Sequence, residues 1–223
     1  MRVDQDEASR LPSPSLLLIT DRSQAARPLE GVVADALAAG CRWVSLREKD
    51  MDPASRRALL RRLLSLSRPA GAVLTVHGDW DAARLADGLH LGVGEDPAEA
   101  RRRLGARALV GVSCHSGEEV AAALAAGADY VTLGPLAPTE SKPGYAPVLS
   151  PAEAGAIARR HPGRVVALGG VSPELLPGLV SAGFAGAAVM GGVMRAAAVG
   201  AAVTALLRVL PTEGPGRRGS FGG

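Results

Sequence analysis

Several apolar runs in this chain end in residues that can move protons or hold anions. After WVSL comes Arg47-Glu48-Lys49, where Arg47 and Lys49 alternate with Glu48 and so share one side of a strand end. Two cations beside one pocket suit an anion such as a diphosphate or a carboxylate. The alternative is a structural ion pair closing the mouth of the fold. Further along stand His77, Asp79 and Asp81, then Glu95 and Asp96, then Ser113-Cys114-His115. An imidazole donates and accepts protons near neutral pH, so His115 is an acid/base candidate. It could equally help cap the helix that opens at Ser116-Gly117-Glu118-Glu119. His90, inside a short apolar run, reads as a core histidine, and His161 as a surface residue at a helix carboxyl end.

Two further stretches carry anion chemistry. The loop GPLAPTESKPGYAPVLS is long, and Lys142 within it stands among small hydroxyls and before Pro-Gly. Long loops in compact domains are usually functional or mobile, so Lys142 is expected to swing over a bound anion while the hydroxyls bond a carboxylate. Residues 165–192 read VVALGG, VSPELLPGLVSAG, FAGAAVMGG. Gly169-Gly170 and Gly191-Gly192 then lie at the ends of neighbouring strands, where main-chain N–H groups can approach a phosphate. The other reading is that these glycines only make tight turns.

The elements that must position these groups follow from apolar periodicity. Strands are expected at 16–20, 43–47, 72–76, 89–91, 109–113, 130–133, 165–168 and 186–190. Helices are expected at 28–39, 53–67, 82–86, 96–104, 117–126, 151–160 and 199–209, with a helical segment between the last two strands. Eight strand-then-helix units point to a single (β/α)8 TIM barrel with its phosphate site at strands seven and eight. A doubly wound open sheet is the competitor. Residues 1–14 read as a flexible leader, 15–210 as the barrel, and 211–223 as a disordered tail.

Composition narrows the class. The chain has 223 residues, 47% hydrophobic but only 3% aromatic, so its core must be built from Ala, Leu and Val. A net charge of +3 is too small to argue for nucleic acid, and the basic groups at Arg56-Arg57, Arg61-Arg62 and Arg101-Arg102-Arg103 read as solvated helix faces. Two cysteines without metal-ligand spacing, and no secretory signal, predict free thiols and a cytoplasmic protein. Residues 182–207 are apolar, but Arg195 and frequent glycine argue against a membrane span.

The segments SLREKD, HLG, GVSCHS with EE, GADYV, LGPL, PT, SK, ALGGV and GFAGAAVM together resemble the thiamine phosphate synthase/TenI family over about residues 16–207. The resemblance implies a (β/α)8 barrel in thiamine biosynthesis. Its synthase branch joins an aminopyrimidine diphosphate to a thiazole phosphate with Mg2+ and releases pyrophosphate. Its TenI branch aromatises a thiazole carboxylate phosphate by a proton shift. By motif match Thr139, Glu140 and Ser141 fall in the thiazole-carboxylate loop, and Gly169, Gly170, Met190 and Gly191 in the thiazole-phosphate cradle. Arg47, Lys49, Ser113 and Lys142 fall where synthases hold the pyrimidine diphosphate, with Glu48 and His77 beside them.

One departure decides the ranking. Synthases carry Asn-Asp after the third strand, with the Asp a metal ligand, whereas this chain has His77-Gly78. Only Glu95, Asp96 or a shifted Asp79 could then hold Mg2+. The tautomerase reading therefore ranks first, with His115 and Lys142 catalytic and no cofactor. The synthase with Mg2+ is the alternative, and a non-catalytic phosphate-ligand sensor is third. The expected partners are a small phosphorylated thiazole and, for the synthase, the aminopyrimidine diphosphate. No nucleic acid or membrane is expected, and a homo-oligomer stays open.

Overall fold

A computed structural model describes residues 10–137 and 149–212. Eight parallel strands close into a barrel in sequence order, β1 (Leu16–Ile19), β2 (Trp43–Leu46), β3 (Val73–His77), β4 (Gly88–Leu91), β5 (Leu109–Cys114), β6 (Tyr130–Leu133), β7 (Val165–Leu168) and β8 (Gly186–Val189). Closure is made where Leu16, Leu17 and Leu18 pair with Ala187, Ala188 and Val189, which excludes the open-sheet competitor. Around the barrel run α1 (Leu29–Ala38), α2 (Pro53–Ser67), α3 (Trp80–Ala83), α4 (Pro97–Leu104), α5 (Gly117–Ala125), α6 (Pro151–Arg160), α7 (Leu176–Ser181), α8 (Gly191–Met194) and α9 (Val199–Leu207).

Local chemistry sets these boundaries. Asp52 accepts from Ala54 and Ser55 N–H and Pro53 opens α2, which buries Leu59, Leu60, Leu63 and Leu64. Ser150 and Glu153 form a reciprocal capping box at the start of α6. At α3 the expected span of 82–86 moves to Trp80–Ala83, because the Asp79 carboxylate accepts from Ala82 N–H and starts the helix earlier. The eighth strand ends at Val189 rather than at 190, and α8 follows at once, a helix with no periodic signature.

Apolar side chains fill two layers. Between strands and helices lies a continuous cluster dominated by Leu, Val and Ala. Inside the barrel, Leu11, Leu17, Ile19, Trp43, Leu109, Tyr130, Val166 and Ala188 form a second cluster, with the Trp43 and Tyr130 rings edge-on at 4.6 Å. Leu11 belongs to the expected leader, yet it is buried in this interior cluster, and Arg10 pairs with Asp129 at 2.6 Å. Residues 10–14 are therefore part of the folded unit, which corrects the leader expected over 1–14 for that portion. Among the described residues no helix is long and apolar enough to cross a membrane.

Candidate active site

Side chains at the carboxyl ends of the strands surround a cavity of about 730 Å3. Loops there are where a barrel of this kind carries chemistry, while the amino ends carry packing. Of the residues expected from sequence, Arg47, Glu48, Lys49, His77, Glu95, Ser113, His115, Gly169, Gly170, Met190 and Gly191 all line it. Thr139, Glu140, Ser141 and Lys142 lie outside the described residues. Asp79 and Asp96 do not line the cavity.

On one wall, Glu48 is buried and accepts from the Arg22 main-chain N–H and from Arg22 Nη1 at 3.1 Å each. The same Arg22 forks onto Asp50 at 2.6 and 2.7 Å. Glu48 thus ties the loop after β1 to β2 and sits between Arg47 and Lys49 with its charge matched. The Arg47 main chain is anchored by N–H donation to the buried Thr20 hydroxyl at 2.9 Å.

At the floor, β3, β4, β5 and β6 converge. His77 and His90 pair across β3 and β4, with ring centroids 4.3 Å apart. His90 sits between two hydroxyls, Nδ1 at 2.9 Å from Tyr130 and Nε2 at 3.0 Å from Ser113. Burial, helped by the nearby Arg47 charge, pulls the His90 pKa down to about 3. Burial, then the His90, Arg47 and Lys49 charges, holds His77 well below its ordinary value. Both rings are neutral at pH 7. Among the described residues the buried His77 Nε2 finds no hydrogen-bond partner.

His115 follows β5. Its main-chain N–H donates to Glu119 at 2.5 Å, and its Nδ1 bonds the Gly134 carbonyl. A carbonyl only accepts, so Nδ1 is the donor in this bond. The helix-capping alternative belongs to Ser116, whose hydroxyl accepts from Glu119 N–H. Cys114, beside it, is buried, and its thiol is pushed up to about 12, chiefly by burial. It is an unactivated thiol.

The glycine turns after β7 and β8 line the same cavity as the cations. Gly169 and Gly170 adopt φ of +93° and +64°, and a Cβ on Gly169 would lie 2.6 Å from Pro135. A side chain there would clash as well as strain the backbone. Gly191 begins α8 immediately after Met190, and Arg195 from the end of that turn also lines the cavity.

The carboxylates nominated for Mg2+ have other duties. Asp79 caps α3 and accepts from Arg56 Nε at 2.7 Å. Asp96 caps α4 and stands 3.5 Å from Arg102. Glu95 lines the cavity while accepting from Gly92 N–H. Among the described residues no three His, Cys, Asp or Glu side chains gather as a metal group. Mg2+ wants near-octahedral oxygen ligands, and the donor set described here does not provide a protein-held site for it.

Arg56 was read from sequence as part of a solvated face, yet it lines the cavity with its side chain 17% exposed. The signal was in the spacing. Arg56 precedes Leu59, Leu60 and Leu63 by three, four and seven positions, the spacing of one helix face. Arg195 and Thr132 were likewise missed.

Comparison with known proteins gives a consistent result. Residues 16–193 match a family model described as thiamine monophosphate synthase. A thiamine-phosphate synthase of Roseiflexus sp. is 36% identical over 212 residues, covering 92% of this chain and 90% of that one. One from Chromobacterium violaceum is 40% identical over 184 residues, covering 80% and 87%. A solved structure of thiamine phosphate pyrophosphorylase from Pyrococcus furiosus superposes with a TM-score of 0.78 at 29% identity, covering 87% of this chain and 94% of that one. With its closed barrel, its glycine wall and a family match spanning β1 to α8, the chain belongs to the thiamine monophosphate synthase/TenI family.

Proposed function

We propose that this protein is a thiamine-phosphate synthase, joining an aminopyrimidine diphosphate to a phosphorylated thiazole. The thiazole nitrogen lone pair forms the new C–N bond to the pyrimidine methylene. The C–O bond to the diphosphate breaks, and pyrophosphate leaves with that electron pair. This reverses the order taken from sequence, where the tautomerase ranked first. The reversal rests on the relatives, which carry the synthase name across nearly the whole chain.

The observation that carries the reading is a single cavity lined both by Arg47 and Lys49 after β2 and by the glycine turns after β7 and β8. Two phosphorylated substrates need two anion sites in one cavity. Arg47 and Lys49 would offset charge growing on the departing pyrophosphate, where fixed cations act more strongly than in the ground state. Main-chain N–H groups at Gly169, Gly170 and Gly191 would hold the thiazole phosphate. Ser113, held by His90 Nε2, would bond a diphosphate oxygen. Thr139, Glu140, Ser141 and Lys142 remain proposed substrate contacts on motif grounds.

The test is chemical synthesis by the purified protein. Supplied with both substrates, it should form thiamine phosphate, and Arg47→Met should lower kcat/KM by about 100-fold, as for loss of one fixed donor to a developing anion. No thiamine phosphate under any condition would overturn the reading. The place of His115 in the cavity lining favours the tautomerase as second reading, and aromatisation of the thiazole carboxylate phosphate that is lost in His115→Ala would establish it.

A further inference from the structure

We infer that Arg56, beside Arg47 and Lys49, holds the substrate's diphosphate where a divalent cation held by this chain's carboxylates would otherwise stand; this rests on the coupling reading above. The starting observation is the end of β3. Position 78 is glycine with φ +60°, and a Cβ built there meets nothing within 4 Å. There is room for a side chain, and none is present. The carboxylate of the next residue, Asp79, accepts from Arg56 Nε at 2.7 Å and from the Ala82 N–H at 2.9 Å.

That arrangement puts a cation where a metal-bearing site would need an anion. The Arg56 guanidinium is clamped on two sides, because its Nη1 donates to the Glu48 and Met51 carbonyls at 3.2 Å each. These bonds occupy Nε and Nη1, and Arg56 lines the cavity. Among the described residues nothing accepts from the other nitrogen, Nη2, which can present its N–H groups to a ligand. A guanidinium held rigid in this way presents a planar fork matched to phosphate oxygens. Arg47 and Lys49 stand along the same cavity. His77 and His90 are neutral and add no competing charge.

Chelation cannot easily share this wall. Glu48 is taken by Arg22, Asp79 by Arg56, and Asp96 by the start of α4. Among the described residues the carboxylates lining the cavity are Glu48, which Arg22 holds, and Glu95, which already accepts from Gly92 N–H. A dication brought here would stand among the Arg47 and Arg56 guanidinium groups and the Lys49 ammonium. The diphosphate's negative charge is instead met by side chains already in place.

Binding of inorganic pyrophosphate to the full-length protein, followed by titration calorimetry, tests this apart from turnover. Affinity in EDTA should equal that in Mg2+, and a gain of about tenfold or more on adding Mg2+ would overturn the inference. Arg56→Met should weaken metal-free pyrophosphate binding by about tenfold or more, the loss of one charge-assisted bond, and raise KM for the diphosphate substrate alone. A purely structural Arg56 would instead lower the melting midpoint and leave pyrophosphate binding intact, which overturns the inference. Should Arg56→Met fail to fold, Arg56→Lys keeps the charge and loses the fork, and is expected to show the same selective loss. Gly78→Asp, at a φ that Asp tolerates better than most residues, should make pyrophosphate binding respond to Mg2+. No response there overturns the placement of the missing ligand at 78. The two proposals fail separately. Metal-free pyrophosphate binding without any thiamine phosphate overturns coupling only, whereas turnover that collapses in EDTA overturns the role of Arg56 only.

Discussion

His90 lies between the Tyr130 and Ser113 hydroxyls with its pKa pulled down to about 3 from 6.5, chiefly by burial. The folded state therefore resists protonating it, while the unfolded chain takes up a proton once pH falls below 6.5. Stability is full above that value and is lost as pH falls towards the folded pKa, by about 1.4 kcal/mol per pH unit. His77, shifted the same way, adds a term of the same sign. Carboxylates such as Asp21 and Glu30 have lowered folded values, so their contribution is lost only below their ordinary values of 3.8 and 4.5. The window between 6.5 and 4.5 thus belongs to the histidines. Denaturant unfolding of His90→Gln should show a pH slope flatter by about 1.4 kcal/mol per unit there; an unchanged slope would mean that His90 is protonated in the native protein. From sequence, His90 was legible as a core histidine but its hydroxyl partners were not, since they come from β5 and β6, more than twenty positions away. Arg47, His77, Ser113 and His115 were legible as cavity-lining residues because each stands at or just past a strand end. Asp79 and Asp96 stand there too, and a carboxylate just before a helix is as good a cap as a ligand.

The strands make demands of their own. Gly111 of β5 is in register with Tyr130 of β6, and a Cβ on it would lie 2.1 Å from Tyr130 Cζ. The glycine is what lets the tyrosine ring lie flat across its neighbour, reach His90 and meet Trp43 edge-on. Gly111→Ala forces that ring to move, so it should destabilise by about 1–3 kcal/mol from overpacking and more where the His90 hydrogen bond is lost. Chemical denaturation measures it directly, and wild-type stability in the variant would show that the ring has another place to go. At the periphery, Ser150→Ala removes half of the α6 capping box and should cost about 1 kcal/mol. These elements also mark where sequence reading ended. Strands β6 and β7 and helices α2 and α6 were placed to the residue, because periodicity and caps agree there. Helix α8 was invisible, since Gly191-Gly192 reads as a stop and four residues are too few for a period to show.

Across the whole molecule the barrel is polarised. From Leu11 and Trp43 at the amino ends of the strands, the interior is packed with apolar side chains up to Ile19, Leu168 and Ala188, which form part of the cavity lining. Above them stand the charged and glycine walls. One end therefore supplies folding energy and the other spends little on packing, which leaves its geometry to ligands. Pyrophosphate binding only the folded state should stabilise it by about 2.7 kcal/mol at a hundred times its Kd, raising the melting midpoint by about 5–10 °C for a domain of this size. Leu11→Ala, at the far end, should lower stability by about 2 kcal/mol or more through lost burial and a cavity. Leu11 does not itself line the cavity, so the two effects should add, and pyrophosphate should raise the variant by the same increment as the wild type. A smaller increment in Leu11→Ala would mean that the packed base helps set the geometry of the mouth. The barrel would then have to be treated as one coupled unit.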